Sequence, residues 1–208
     1  MRTELWANVH TERARLVDDL AGRPDVDWAT PSLCAGWNIR DVVAHLAATA
    51  TLSLWKFAGE FLRAGFSANR IVDRQVAAAR KQSAGESLDA LRLAIRSTAS
   101  PPQPTITRVI EIVVHGEDIR RPLQIDHDYL TTHIDDALRY LARDRLSGAN
   151  KRMQGLRFQA SDTDFAVGQG DLVEGPAVSL LLAACGRRVA LADLSGPGHR
   201  LLAHQIEK

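Results

Sequence analysis

The stretch from Thr105 to Pro122, TITRVIEIVVHGEDIRRP, sets Glu111 and His115 four positions apart inside a run of Val and Ile. Such a run suits a buried strand, because β-branched side chains pack well on a pleated surface. It also suits a helix whose polar edge carries Arg108, Glu111, His115 and Asp118. The flanks argue for the helix: Thr105 or Thr107 offers a cap after the Pro-rich Pro101 to Pro104, and Arg120, Arg121 and Pro122 make an end. On a helix, residues i and i+4 share a face, so Glu111 and His115 converge on one point. A carboxylate set among Val109, Ile110, Ile112, Val113 and Val114 is costly to bury unless something positive offsets it, and a divalent metal would do so. An ordinary amphipathic helix meets the same pattern, so the metal reading depends on a second histidine elsewhere.

That histidine is His45. Asn38 is a good N-cap, with Asp41 three residues on to support it, for a helix expected from Ile39 to about Arg63. Ile39, Val42, Val43, Leu46, Leu54, Phe57 and Phe61 form its apolar surface. His45 lies one turn from both Val42 and Thr49, hence inward or at the edge of the core. Two histidines and one carboxylate make a nitrogen and oxygen set suited to zinc, with a fourth position left for water or substrate. A metal so held lowers the pKa of a water or a thiol enough to give a nucleophile at neutral pH. The alternative is a hydrogen-bonded core histidine with no ligand role.

Around these two stretches the chain reads as mainly helical. Residues Thr3 to Ala21 place Leu5, Val9, Leu16, Val17 and Leu20 at helical spacing, with Gly22 and Pro24 as a stop. A loop, DWATPSLCAGW, leads to Asn38. Asn69 to Gln82 is a charged helical pattern, and Ser87 is expected to cap a helix with Leu88, Leu91, Ile95 and Ala99 inside. Four amphipathic helices with intervening loops are most simply satisfied by an antiparallel bundle, whose facing helices can build a metal site. Beyond Pro122, Tyr129 to Leu146 suits one more helix, and Ser147, Gly148 and Asn150 mark a boundary. The segment LRFQASDTDFAVGQG alternates around Asp and Gly turns as a β-hairpin does. Gly175 and Pro176 then open an apolar helix from Ala177 to Cys185, followed by one or two short helices. The expected fold is therefore mainly α with a small α+β part: a helical bundle over residues 1–148 and a small α+β domain over residues 149–208.

At 208 residues, 45% hydrophobic and 25% charged, the chain has the makeup of a globular protein with a sizeable core. A formal net charge of +1 gives no concentrated positive field for nucleic acid. No apolar run reaches the length of a membrane span, and the start lacks the continuous apolar region of a secretory signal, so a cytoplasmic protein is expected. Cys34 and Cys185 fall in no CxxC pattern, which points to neither a disulfide framework nor a cysteine zinc site.

The loop and helix TPSLCAGWNIRDVVAHL resembles the signature of the mycothiol-dependent maleylpyruvate isomerase family, a Gly-Trp turn leading into a helix whose His is a metal ligand. VIEIVVHGEDIRRPL resembles the later helix that supplies Glu and His four apart. FAVGQGDLVEGPAVSLLLAACGRRVALADLSGPG looks like the family's second domain, including Gly-Arg after the apolar helix. The resemblance implies a DinB-like antiparallel four-helix bundle and a divalent metal, usually zinc, on His45, Glu111 and His115. It also implies mycothiol, the low-molecular-weight thiol of actinobacteria, as cofactor. The implied activity is isomerisation or S-transfer on a small electrophilic substrate. A non-catalytic metal- or ligand-binding regulatory bundle and a thiol-independent metal hydrolase remain as alternatives. Arg187 or Arg188 is expected to fix a carboxylate of substrate or thiol. Cys34 reads as a small packed thiol with a redox role as the alternative, and His10, His127, His133, His199 and His204 are assigned to the surface. A monomer or homodimer is expected.

Overall fold

The fold is that of a computed structural model, which describes residues 1–52, 83–100 and 102–207. Its first helix, α1 (Arg2–Leu20), buries Leu5, Val9, Leu16, Val17 and Leu20 along one stripe, as their spacing predicts. The same helix also buries Glu12 and Arg13, which spacing does not predict. A short helix, α2 (Asp25–Ala29), occupies the start of the expected loop, begins at Pro24 and buries Trp28. Helix α3 (Ile39–Ala50) starts with the expected capping box: Asn38 accepts from the Asp41 backbone N–H at 2.9 Å, and Asp41 accepts from that of Asn38 at 3.2 Å. The expected continuation to Arg63, with Leu54, Phe57 and Phe61, and the pattern from Asn69 to Gln82 lie outside the described residues.

Helix α4 (Ala84–Leu93) corrects one expectation. Its cap is Ser83, which exchanges hydrogen bonds with Glu86, whereas Ser87 is buried one turn inside the helix. Ser83-x-x-Glu86 is the reciprocal pair that satisfies two free N–H groups at once, and Ser87 has no acidic residue three positions on. The helix ends at Leu93, so Ile95 and Ala99 are not on it. Helix α5 (Ile106–Arg120) settles the question of strand or helix for the Val and Ile run. Thr105 is its N-cap residue without a side-chain cap bond, and Thr107 donates to the Pro104 carbonyl at 2.8 Å.

These helices form the first of two units, Met1–His127. Helix α3 packs on α4 and α5, and α1 packs on the same two, so the four close into a ring. Ile39, Val42, Val43, Leu46, Leu91, Val109, Ile112 and Val113 fill it. Charged groups lie within the same unit. Arg120, fully buried, donates to Asp19 at 2.7 Å, and His127 pairs with Glu12 at the same distance. His127 is thereby removed from the surface set: its side chain is 9% exposed because Glu12 on α1 draws it in.

The second unit is Asp128–Lys208. The contact pattern divides the chain between His127 and Asp128, so α6 (Thr131–Leu141) lies with the unit that follows it. Ile134, Ala137, Leu138 and Leu141 are buried on α6, and Leu130 is exposed just ahead of it. After the single turn α7 (Ala149–Arg152), strands β1 (Leu156–Ala160) and β2 (Ala166–Gly168) form the expected hairpin, Phe158 opposite Val167. A third strand, β3 (Asp171–Gly175), pairs parallel to β1 on its other edge, Phe158 opposite Val173, giving the order β2-β1-β3. Gly170, at φ +125°, permits the return: a Cβ there would lie 2.0 Å from the Gly155 carbonyl oxygen. Helix α8 (Ala177–Ala184) is almost wholly buried and packs against α6 and a 3-10 turn, Arg188–Asp193. Helix α9 (His199–Ile206) closes the described chain.

Candidate metal centre

Helix α5 delivers its polar residues from one rigid rod, and α3 delivers His45 from a neighbouring one. His45 and His115, distant in sequence, meet with ring centroids 5.1 Å apart and planes at 78°. The Trp37 ring lies edge-on to His45 at 5.3 Å. His45 is 7% exposed, and its Nδ1 has no hydrogen-bond partner among the described residues. Burial, and secondarily the charges of His115 and Arg108, push its pKa down to about 3. The imidazole is therefore neutral across the physiological range, the form in which a histidine ligates a metal.

His115 is held from the other side. Its Nδ1 lies 2.9 Å from an Asp118 oxygen, and Asp118 is fully buried. An ionised carboxylate only accepts, so in this hydrogen bond Nδ1 carries the proton, and Nε2 is the nitrogen turned away from Asp118. The same Asp118 oxygen accepts from the Cys34 thiol at 3.0 Å, and Cys34 Sγ is 3.7 Å from His115 Nδ1.

The Cys34 loop is built to reach this point. Gly36 takes φ +77°, which closes the turn Cys34–Trp37 with a hydrogen bond from the Trp37 N–H to the Cys34 carbonyl at 3.0 Å. Ser32 braces it, donating to the Trp37 carbonyl at 2.9 Å and accepting from the Cys34 N–H at 3.1 Å. The Leu33 N–H donates to the Asp118 carbonyl at 3.2 Å, so the loop is fastened to α5 by backbone as well as side chain. A cavity of about 350 Å³ opens over it, lined by Ser32, Cys34, Gly36, Trp37, Asn38 and Asp41 among others.

Glu111, the third sequence candidate, is on the expected helix, but both its oxygens are held by Arg108 Nη1, at 3.1 and 3.0 Å. Three ligand-type atoms do lie together within 4.8 Å of one another: those of Cys34, His115 and Asp118. The spacing of α5 displayed Asp118 at His115+3 and Arg108 at Glu111−3, yet it could not show that Asp118 would be buried against a loop more than seventy positions earlier. Arg187 and Arg188 are in the second unit. Arg187 donates to the Cys185 carbonyl at 3.0 Å, and Arg188, largely exposed, pairs with Glu207.

Residues 9–101 match the family described as mycothiol maleylpyruvate isomerase N-terminal domain. That stretch of the chain is similar to the family's N-terminal domain. Among solved structures, the chain is similar to the mycothiol-dependent maleylpyruvate isomerase, at 15% identity, with 96% of this chain and 94% of that one covered and a TM-score of 0.61. A histidine-to-alanine mutant of such an enzyme matches over the same shares at a TM-score of 0.58. At that identity the likeness establishes a shared fold: a DinB-like helical bundle followed by a small α+β part. No curated protein gives a significant sequence match. Among the described residues, no helix is long and apolar enough to cross a membrane.

Proposed function

We propose that this chain is a metal-dependent enzyme that uses the low-molecular-weight thiol mycothiol on a small electrophile, by isomerisation, as the solved relative's name describes, or by S-transfer. The observation that carries the reading is the meeting of His45 and His115 at 5.1 Å with His45 Nδ1 buried and unpartnered among the described residues. A buried polar atom without a partner costs stability, and a ligand role accounts for that cost. His45, His115 and Glu111 would hold the ion, zinc by the hardness of the set. When bound, zinc supplies a positive charge on which a thiol loses its proton near neutral pH.

The chain's own residues prepare that chemistry. His45 stays neutral because burial disfavours its cation. Asp118 fixes the tautomer and plane of His115 through Nδ1, as carboxylates commonly do for metal-bound histidines. Trp37 shields the His45 ring, and the turn that carries Trp37 is tied to α5 at Asp118.

A second placement is favoured by one observation, the proximity of Cys34, His115 and Asp118. Zinc calorimetry on variants separates the two. On the first placement His45→Ala and Glu111→Gln weaken zinc binding by tenfold or more, at about 1.4 kcal/mol per factor of ten, and Cys34→Ala leaves it unchanged. Loss confined to Cys34→Ala would move the ion to the Cys34 set. A chain that binds no divalent metal after reconstitution would refute the enzyme reading and leave a binding bundle, whereas turnover without any thiol would identify a hydrolase.

A further inference from the structure

Arg108 stands one helical turn before Glu111 on α5 and is 6% exposed; the Glu111 side chain is 12% exposed. Its Nη1 bridges both carboxylate oxygens, its Nη2 is 3.5 Å from Gln103 Oε1, and its Nε is 3.4 Å from Thr107 Oγ1. A second guanidinium, that of Arg13 on α1, is 2% exposed and donates to the Ala94 and Ser97 carbonyls at 3.2 and 2.8 Å. Arg13 feels the attraction of Glu111 and the repulsion of Arg108, and burial above all holds its pKa down to about 10. Among the described residues, Glu111 is thus paired with one buried guanidinium and attracts a second. Buried charge of one sign in excess is costly, and among these described side chains the excess is positive.

If Glu111 turns to a dication, as the proposed function requires, that excess grows, because Arg108 gives up the carboxylate it now holds. A planar guanidinium that already carries a carboxylate has the geometry to accept another in its place. We propose that Glu111 exchanges Arg108 for the metal on loading, and that the released Arg108, in a field reinforced by Arg13, then binds the carboxylate of a small anionic ligand. The inference rests on Glu111 being a metal ligand. It makes the metal and the anion cooperative: each tightens the other by the same factor, since coupling between two sites is reciprocal.

The test is zinc calorimetry on the full chain, with acetate as the carboxylate probe in excess and chloride at matched ionic strength as the reference, corrected for acetate complexation of free zinc. The parent is expected to bind zinc about fivefold more tightly or better in acetate. Arg108→Gln should bind zinc in chloride at least as tightly as the parent, because the competitor for Glu111 is gone, and should show no acetate effect. If Arg108→Gln does not fold, Arg108→Lys, which keeps the charge but offers no fork, is expected to lose most of the acetate effect. An acetate effect undiminished in the Arg108 variant would place the anion on the metal itself and overturn the proposal. So would weaker zinc binding in chloride, which would make Arg108 a prop for Glu111. Equal zinc affinity of Glu111→Gln and the parent would instead remove the ligand assignment on which the proposal stands.

Discussion

Replacing His45 by leucine should make the metal-free protein more stable and the metal-loaded protein less so. In the absence of metal, His45 contributes a buried Nδ1 with no partner among the described residues, and such an atom costs about 1–3 kcal/mol. Leucine fills similar space without a polar atom, so Tyr and Trp fluorescence in urea with EDTA should give a gain of about 1–3 kcal/mol at pH 7 with the denaturant slope unchanged. The parent should also carry an acid dependence that the variant lacks. Folding lowers the His45 pKa from 6.5 to about 3, so between those values the unfolded chain binds the extra proton. Stability is then present above pH 6.5 and is lost as pH falls towards 3, at up to about 1.4 kcal/mol per pH unit. With zinc in thousandfold excess over its dissociation constant the order reverses, because the parent gains about 4 kcal/mol and the variant gains little. A leucine variant that is less stable in EDTA, or a parent whose EDTA stability shows the same acid slope as the variant, would refute the description of His45 as a buried, neutral side chain with an unpartnered Nδ1 among the described residues.

Asn38→Ala removes one half of the capping box at the start of the His45 helix and should cost about 1 kcal/mol in thermal or urea unfolding. An unchanged midpoint would show that the cap bonds carry no net stability. Arg187→Ala with Arg188→Ala should leave far-ultraviolet dichroism and zinc affinity intact while weakening mycothiol binding in calorimetry, if either guanidinium fixes an anionic group. Undiminished thiol binding would return both to structural and surface roles.

Much of the scaffold could be read from local pattern because local chemistry decides it. The α1 stripe follows from spacing alone, the α3 start from Asn38 and Asp41, and the β1–β2 hairpin from alternation around Asp and Gly. Ser83-x-x-Glu86 is equally legible, and Ser87, directly before the apolar Leu88, competes with it as a cap. Strand β3 is not legible in this way, since its partner β1 lies beyond β2 and a parallel edge leaves no short-range mark. The site was legible in half. Helical spacing placed Glu111 and His115 together and turned His45 inward. It could not reveal that Arg108 would take both Glu111 oxygens, that Arg13 would be buried on carbonyls of Ala94 and Ser97, or that Cys34 would reach Asp118. The last two are contacts between segments far apart in sequence, and the first is a pair on one helix, where charged residues are ordinarily solvated.

Arg108, Glu111, His115 and Asp118 share a single helix, so the relative positions of their backbones are set by helical geometry and do not depend on how the bundle is packed. His45 alone arrives from another helix. Its separation from His115 therefore works as a gauge of the bundle interior: a change at Leu91 or Val43 that displaces α3 by a fraction of an ångström would shift one proposed ligand against the others, which ride on α5. If the site holds the proposed ion, drift in the core of the first unit would be felt there as altered metal selectivity, long before it was felt as unfolding.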